Sequence, residues 1–119
     1  MLKTVLIADD SLFMRKYMAD LLQRENRYQV IAEASDGIRA VEQYYLYTPD
    51  IVLMDITMPI MDGRMALKEI IRINPRANVV MVSSLATRFH IQECLQLGAR
   101  DFVIKPYFEN LISILDKIA

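Results

Sequence analysis

Five side chains able to do chemistry fall at one recurring place in this sequence, directly after a short apolar run. Asp9 and Asp10 follow Val5-Leu6-Ile7-Ala8, and Asp55 follows Ile51-Val52-Leu53-Met54. Ser83 follows Val79-Val80-Met81-Val82, and Lys105 follows Phe102-Val103-Ile104. Singly, each has a plain structural reading: acids that cap a helix, a turn residue closing a strand, a solvated charge. Jointly these readings fail. A carboxylate behind four apolar residues is costly unless it is paired. Three carboxylates in one crevice repel and raise one another's pKa. A hard divalent cation relieves that repulsion, and Mg2+ takes oxygen ligands near-octahedrally while keeping several waters. Together with a lysine and a hydroxyl, such a set fits phosphoryl transfer onto a carboxylate. Asp55 attacks phosphorus in line, while the metal and Lys105 neutralise the phosphoryl oxygens.

For these residues to meet, the apolar runs must be neighbouring parallel strands. Most of the runs are continuously apolar and rich in β-branched residues, the pattern of strands buried on both faces. Only Tyr28-Gln29-Val30-Ile31-Ala32 interrupts its apolar residues with Gln29, which places it at an edge. Amphipathic helical patterns follow each run: Met14, Met18, Leu21, Leu22; Ala40, Val41, Tyr44; Ala66, Leu67, Ile70, Ile71; Ile91, Cys94, Leu95; and Leu111, Ile112, Leu115, Ile118. Ser11 is placed to cap the first helix and Gly98 to stop the fourth. Alternating strands and helices with short connections give an α/β fold, a flavodoxin-like doubly wound sheet of five parallel strands in order 2-1-3-4-5, with five helices on both faces. Function in such sheets gathers at the carboxyl ends of the strands.

The 119 residues are expected to form one domain, 1–119. Lys and Arg total 14 and Asp and Glu 15, so no bulk positive charge supports nucleic-acid binding. The single cysteine, Cys94, allows no internal disulfide, which fits a reducing cytoplasm. No signal-peptide pattern and no apolar run of about 18 residues is present, so neither export nor a membrane span is expected.

In order and spacing, four segments resemble the receiver domain of two-component response regulators. They are Val5 to Ser11, Asp50 to Pro59 continuing to Met61-Asp62-Gly63, Val80 to Ser84, and Gly98 to Pro106. The resemblance covers essentially the whole chain. Ser11-Leu12-Phe13-Met14-Arg15 and Asp55-Ile56-Thr57-Met58-Pro59 are most similar to the family's single-domain chemotaxis regulators. The resemblance implies that Asp55 accepts a phosphoryl group from a histidine kinase, a phosphotransfer protein or a small acyl phosphate. It implies Mg2+ held by Asp10 and Asp55, with Asp9 acting mainly through water and Thr57 offering its backbone carbonyl. Lys105 and Ser83 would contact the phosphoryl group, and the bond between Lys105 and Pro106 would be cis. Ser83 and Phe102 would form the switch, remodelling the face made by the fourth helix, fifth strand and fifth helix for an output protein or effector domain. Arg88, Arg100 and Lys105 flank apolar positions on that face. Thr57 and Leu85 stand at the two positions that set the dephosphorylation rate.

A small metal-dependent aspartyl-phosphate phosphohydrolase is the competing reading. Such enzymes usually show Asp-x-Asp-x-Thr; here Thr57 stands two residues after Asp55, and the length leaves no room for a cap domain. A switch with only self-phosphorylation and self-dephosphorylation chemistry is the better fit. The eight methionines read mostly as core filler, His90 as a surface residue, and Tyr44 as core, with Tyr45 or Tyr47 a candidate exposed patch at the end of the second helix.

Overall fold

The computed structural model describes residues 2–118. Its elements alternate from β1 (Lys3–Ala8), α1 (Leu12–Gln23) and β2 (Tyr28–Ala34) through α2 (Gly37–Tyr47), β3 (Ile51–Met54) and α3 (Gly63–Ile73). They continue with β4 (Val79–Ser83), α4 (Arg88–Gln96), β5 (Asp101–Ile104) and α5 (Leu111–Ile118). All strand pairs are parallel and the order is β2-β1-β3-β4-β5, with the Gln-interrupted strand at an edge as its sequence indicates.

The strands alternate even though both faces are buried. Val5, Ile7, Ile51, Leu53, Val80, Val82 and Val103 face one layer, where Met18 and Leu22 of α1 and Leu111 and Leu115 of α5 meet them. Leu6, Ala8, Val52, Met54, Val79 and Met81 face the other, under Ala40 and Tyr44 of α2, Ala66, Leu67 and Ile70 of α3, and Cys94 of α4. At the far end of α5, Asp116 accepts hydrogen bonds from the Arg27 guanidinium and the Tyr28 hydroxyl, tying that helix to the start of β2. Burial, helped by Asp116, pushes the Tyr28 hydroxyl up to about 12. No helix among the described residues is long and apolar enough to cross a membrane.

One expected packing position differs. Leu95 is 44% exposed, and Cys94 is the only buried residue of α4. The part of α4 turned onto the core is narrow: Cys94, and Leu97, which packs on the core just beyond the helix end. Gly98 stops α4 as expected: its φ is 115°, its N–H donates to Leu95 and that of Ala99 to Cys94. Paired bonds of this kind around a left-handed residue close a helix and favour glycine.

Four helices start from side-chain caps just beyond the carboxyl ends of strands. Ser11, Asp36, Asp62 and Thr87 accept from the backbone N–H of Met14, Arg39, Met65 and His90 respectively. Each such cap is worth about 1 kcal/mol. Behind β3 the chain turns so closely that Gly63 donates its N–H to the Ile56 carbonyl at 2.7 Å. A Cβ on Gly63 would lie 1.7 Å from the Asp55 carbonyl oxygen. That oxygen is backbone and cannot yield without moving the strand end. Gly63→Ala should therefore destabilise the fold by about 3 kcal/mol or more, at the severe end of overpacking. Urea unfolding measures this, and a loss under about 1 kcal/mol would mean that the loop gives way instead.

Candidate phosphoacceptor site

Ladder hydrogen bonds run one residue past the strands and fix the site backbone. Asp9 N–H donates to Ala34, Asp55 N–H to Ala8, and Lys105 N–H to Ser83, at 2.9, 2.9 and 3.0 Å. Asp9, Asp10, Asp55, Ser83 and Lys105 are thereby held at the ends of β1, β3, β4 and β5 on one edge of the sheet. Carboxylate oxygens of Asp9, Asp10 and Asp55 lie within 4.8 Å of one another. Asp9 is fully buried and Asp55 is 6% exposed, whereas Asp10 faces solvent.

The Lys105 ammonium spans the two buried acids, 2.7 Å from Asp9 Oδ2 and 3.3 Å from Asp55 Oδ2. Asp9 Oδ1 accepts from Ser11 N–H at 2.9 Å, and Asp55 Oδ1 from Ile56 N–H at 2.8 Å. Burial pushes the Asp55 carboxyl above its ordinary range; Lys105 opposes this and the charge of Asp9 adds to it. Burial also works against the charge on Lys105, but the bond to Asp9 and the field of Asp55 outweigh it and hold the ammonium up. Three carboxylates against one ammonium leave a surplus of negative charge at a mouth opened by Asp10. The donors are all hard oxygens, the set a small divalent cation takes.

Ser83 is buried, and its Oγ accepts from Leu85 N–H at 3.0 Å. The Lys105–Pro106 peptide bond is cis. Lys105 turns into the acid cluster, so of the basic residues expected to flank the output face only Arg88 and Arg100 are exposed to solvent. Phe102 is half-buried and packs on the core beneath α2, α3 and α4. Thr57 and Leu85 line a cleft of about 470 Å³ shared with Met58, Phe89, His90 and Cys94. His90 lies there at the partly exposed surface, with Nδ1 against the Thr87 hydroxyl. Tyr44 is core, and Tyr45 and Tyr47 are exposed.

The β3–α3 loop carries backbone strain. Ile60 has φ 71°, and Met61 N–H reaches back to the Pro59 carbonyl at 2.8 Å, a three-residue turn rare for a β-branched residue. The Met61 carbonyl in turn accepts from Gly37 N–H at 2.8 Å, joining this loop to the start of α2.

Two contributors escape a reading of the sequence. Arg15 donates to the Asp9 carbonyl at 2.7 Å and pairs with Glu33 of β2 at 2.8 Å. The ion pair has no local signal, because Glu33 is 18 residues from Arg15 and meets it only through strand pairing.

Comparisons with known proteins agree with this geometry. The family model for the response regulator receiver domain matches residues 5–116. The chemotaxis protein CheY of Bacillus subtilis is 46% identical over 103 residues, covering 87% of this chain and 85% of its own. CheY of Thermotoga maritima is 41% identical over 118 residues, covering 98% of each. Among solved structures, a chain of the CheX–CheY–BeF3–Mg2+ complex from Borrelia burgdorferi superposes with a TM-score of 0.93 at 34% identity, covering 98% of this chain and 88% of its own. The acid cluster fits the phosphoacceptor site of such proteins. The chain belongs to the response regulator receiver domain family and is a receiver domain of the CheY type.

Proposed function

We propose that this chain is a phosphoacceptor switch. Asp55 takes a phosphoryl group from a phosphohistidine on a sensor kinase or phosphotransfer protein, or from a small acyl phosphate. The observation that carries this reading is the Lys105 ammonium spanning Asp9 and Asp55 beside the exposed Asp10. An Asp55 oxygen attacks phosphorus, the bond to the donor breaks, and the donor leaves with the electron pair. As charge gathers on the phosphoryl oxygens, Lys105 exchanges its longer contact with Asp55 for one of them while keeping Asp9. The Ser83 hydroxyl, which accepts from Leu85 N–H, retains its own proton to donate to another. Asp10 and Asp55 would hold Mg2+, with Asp9 acting mainly through water and the Thr57 carbonyl as a further oxygen donor. When bound, the ion supplies positive charge at the phosphoryl oxygens. The Borrelia complex, which contains BeF3 and Mg2+, supports this ligand chemistry.

Ser83 then draws on β4, and Phe102, paired in register with Met81 of β4, follows. The populations of two conformations of the α4–β5–α5 face shift, and an output partner reads the result. The similarity to CheY proteins favours a chemotaxis pathway in the cytoplasm. The chemistry is self-phosphorylation and self-dephosphorylation, without turnover of a diffusible substrate. Labelling tests this directly. With acetyl phosphate and Mg2+ the wild type should trap one acid-stable, base-labile phosphoryl group per chain, and Asp55→Asn none. Release of many phosphates per chain would favour a phosphohydrolase.

The raised carboxyl of Asp55 has a consequence for stability. Between its ordinary value of 3.8 and the raised folded value, the folded protein binds more protons than the unfolded chain. Stability from this group therefore falls as pH rises through that window. In chelator, unfolding of Asp55→Asn and wild type should diverge in favour of the variant from pH 3.8 upward, then run parallel. A constant difference across that range would contradict the assigned burial effect.

Reset should be slow. Hydrolysis needs a water aligned opposite the Asp55 oxygen, and the apolar Leu85 side chain neither donates nor accepts. Loose alignment costs about one power of ten in rate, or about 1.4 kcal/mol of barrier. Leu85→Gln should speed decay of the phosphorylated protein about tenfold in excess Mg2+ after donor removal. A wild-type half-life of seconds that the substitution leaves unchanged would remove Leu85 from this role.

A further inference from the structure

Asp9 and Asp10 lie between the end of β1 and the start of α1, where neither ladder nor helix bonds orient the peptide that joins them. Its carbonyl, that of Asp9, accepts from Arg15 Nη1 at 2.7 Å. Arg15 is not free to wander: its side chain is 15% exposed, and its Nε is held by Glu33 Oε1 at 2.8 Å. Glu33 is itself fixed on β2 opposite Ile7 of β1. The other polar groups of Asp9 are equally committed, its N–H to Ala34, Oδ1 to Ser11 and Oδ2 to Lys105. Arg15 thus holds the carbonyl of the Asp9–Asp10 peptide directly, while the Ser11 N–H to Asp9 Oδ1 bond brackets that peptide from the other side. The plane of that peptide determines where the Asp10 backbone, and so its exposed carboxylate, leaves the strand.

We propose that Arg15 is a positioning residue for the acid pair, aiming Asp10 so that the site is preformed for a divalent cation. The inference rests on the Mg2+ reading above. Arg15 is a cation beside a cation site, so its charge alone opposes Mg2+ binding. Its grip on the Asp9 carbonyl acts the other way, by removing conformations in which Asp10 points elsewhere. Charge and geometry therefore predict opposite signs on neutralisation, which makes the role separable from general electrostatics. Outer-sphere partners that orient metal ligands typically change affinity by about 10–100-fold.

The experiment is calorimetric titration of the unphosphorylated full chain with MgCl2 alone, at low and at high salt. Thermal melts accompany it to confirm that each variant is folded. Arg15→Gln should bind Mg2+ about tenfold more weakly than wild type, at the lower end of the outer-sphere range. The loss should persist in high salt, where a long-range charge effect is screened. Unchanged or tighter binding by Arg15→Gln overturns the positioning role. Should Arg15→Gln not fold, Arg15→Lys takes its place: it keeps the charge but not the two-pronged grip, and wild-type affinity there overturns the proposal. A wild type that takes up no Mg2+ at millimolar metal overturns the Mg2+ reading itself, and this inference with it.

Discussion

The structure turns on an arrangement that is unfavourable by itself: two buried carboxylates and a third at the mouth, sharing a single ammonium. Burial works against the charge on Asp55, and the like charge of Asp9 adds to that. Lys105 makes the cluster tolerable without neutralising it. Bonded to Asp9 and slightly further from Asp55, it remains charged despite burial. The result is a folded state that gains from whatever brings positive charge to Asp10 and Asp55. Any ligand that binds only the folded chain also raises its stability by mass action. Binding a cation and accepting a phosphoryl group are two uses of the same electrostatic imbalance.

Such a cluster needs a rigid frame, and the frame is backbone. Ladder bonds carried one residue beyond β1 and β3 immobilise Asp9 and Asp55, and a third sets Lys105 against Ser83. The strained turn at Ile60 persists because the chain after it is pinned at two points, Met61 by Gly37 and Gly63 by Ile56. Helix caps fix the loop exits, so the side chains of the site depart from strand ends that cannot drift. Local geometry of this kind matters more here than the hydrophobic layers below, which would support many arrangements above them.

The sheet order and the acid cluster were legible because each rests on a local, repeated pattern. Apolar runs with chemistry at their ends specify parallel strands, and parallel strands with right-handed crossovers leave little choice of order. Asp9, Asp10, Asp55 and Lys105 could be grouped from their positions after those runs. What stayed hidden depends on contacts distant in sequence. Arg15 reads as one more exposed helix charge until Glu33 is placed beside it by β2. Leu95 reads as an inner-face residue until the narrow footprint of α4 is seen. Gly63 reads as a turn glycine, and only the structure shows the Asp55 carbonyl filling the space its Cβ would need. Periodicity reports which side of an element is apolar; it does not report how wide the surface beneath it is.

That narrow footprint bears on how a local event could reach a distant face. α4 is moored by Cys94 and by Leu97 beyond its end, whereas α3 buries Ala66, Leu67 and Ile70. A helix with so little buried apolar surface opens or shifts at lower free energy than its neighbours. Moving a two-state equilibrium from 1:99 to 99:1 requires a differential of about 5.5 kcal/mol. Hydrogen bonds to charged groups are worth about 1.5–3 kcal/mol each. In the proposed switch, bonds from Lys105 and Ser83 to a phosphoryl group amount to about 3–6 kcal/mol. Lys105 gives back its contact with Asp55, so the bonds reach that differential only at their upper end and only against a weakly opposed movement. The switch can therefore be thrown by two side chains only because the element it moves was lightly held at the outset.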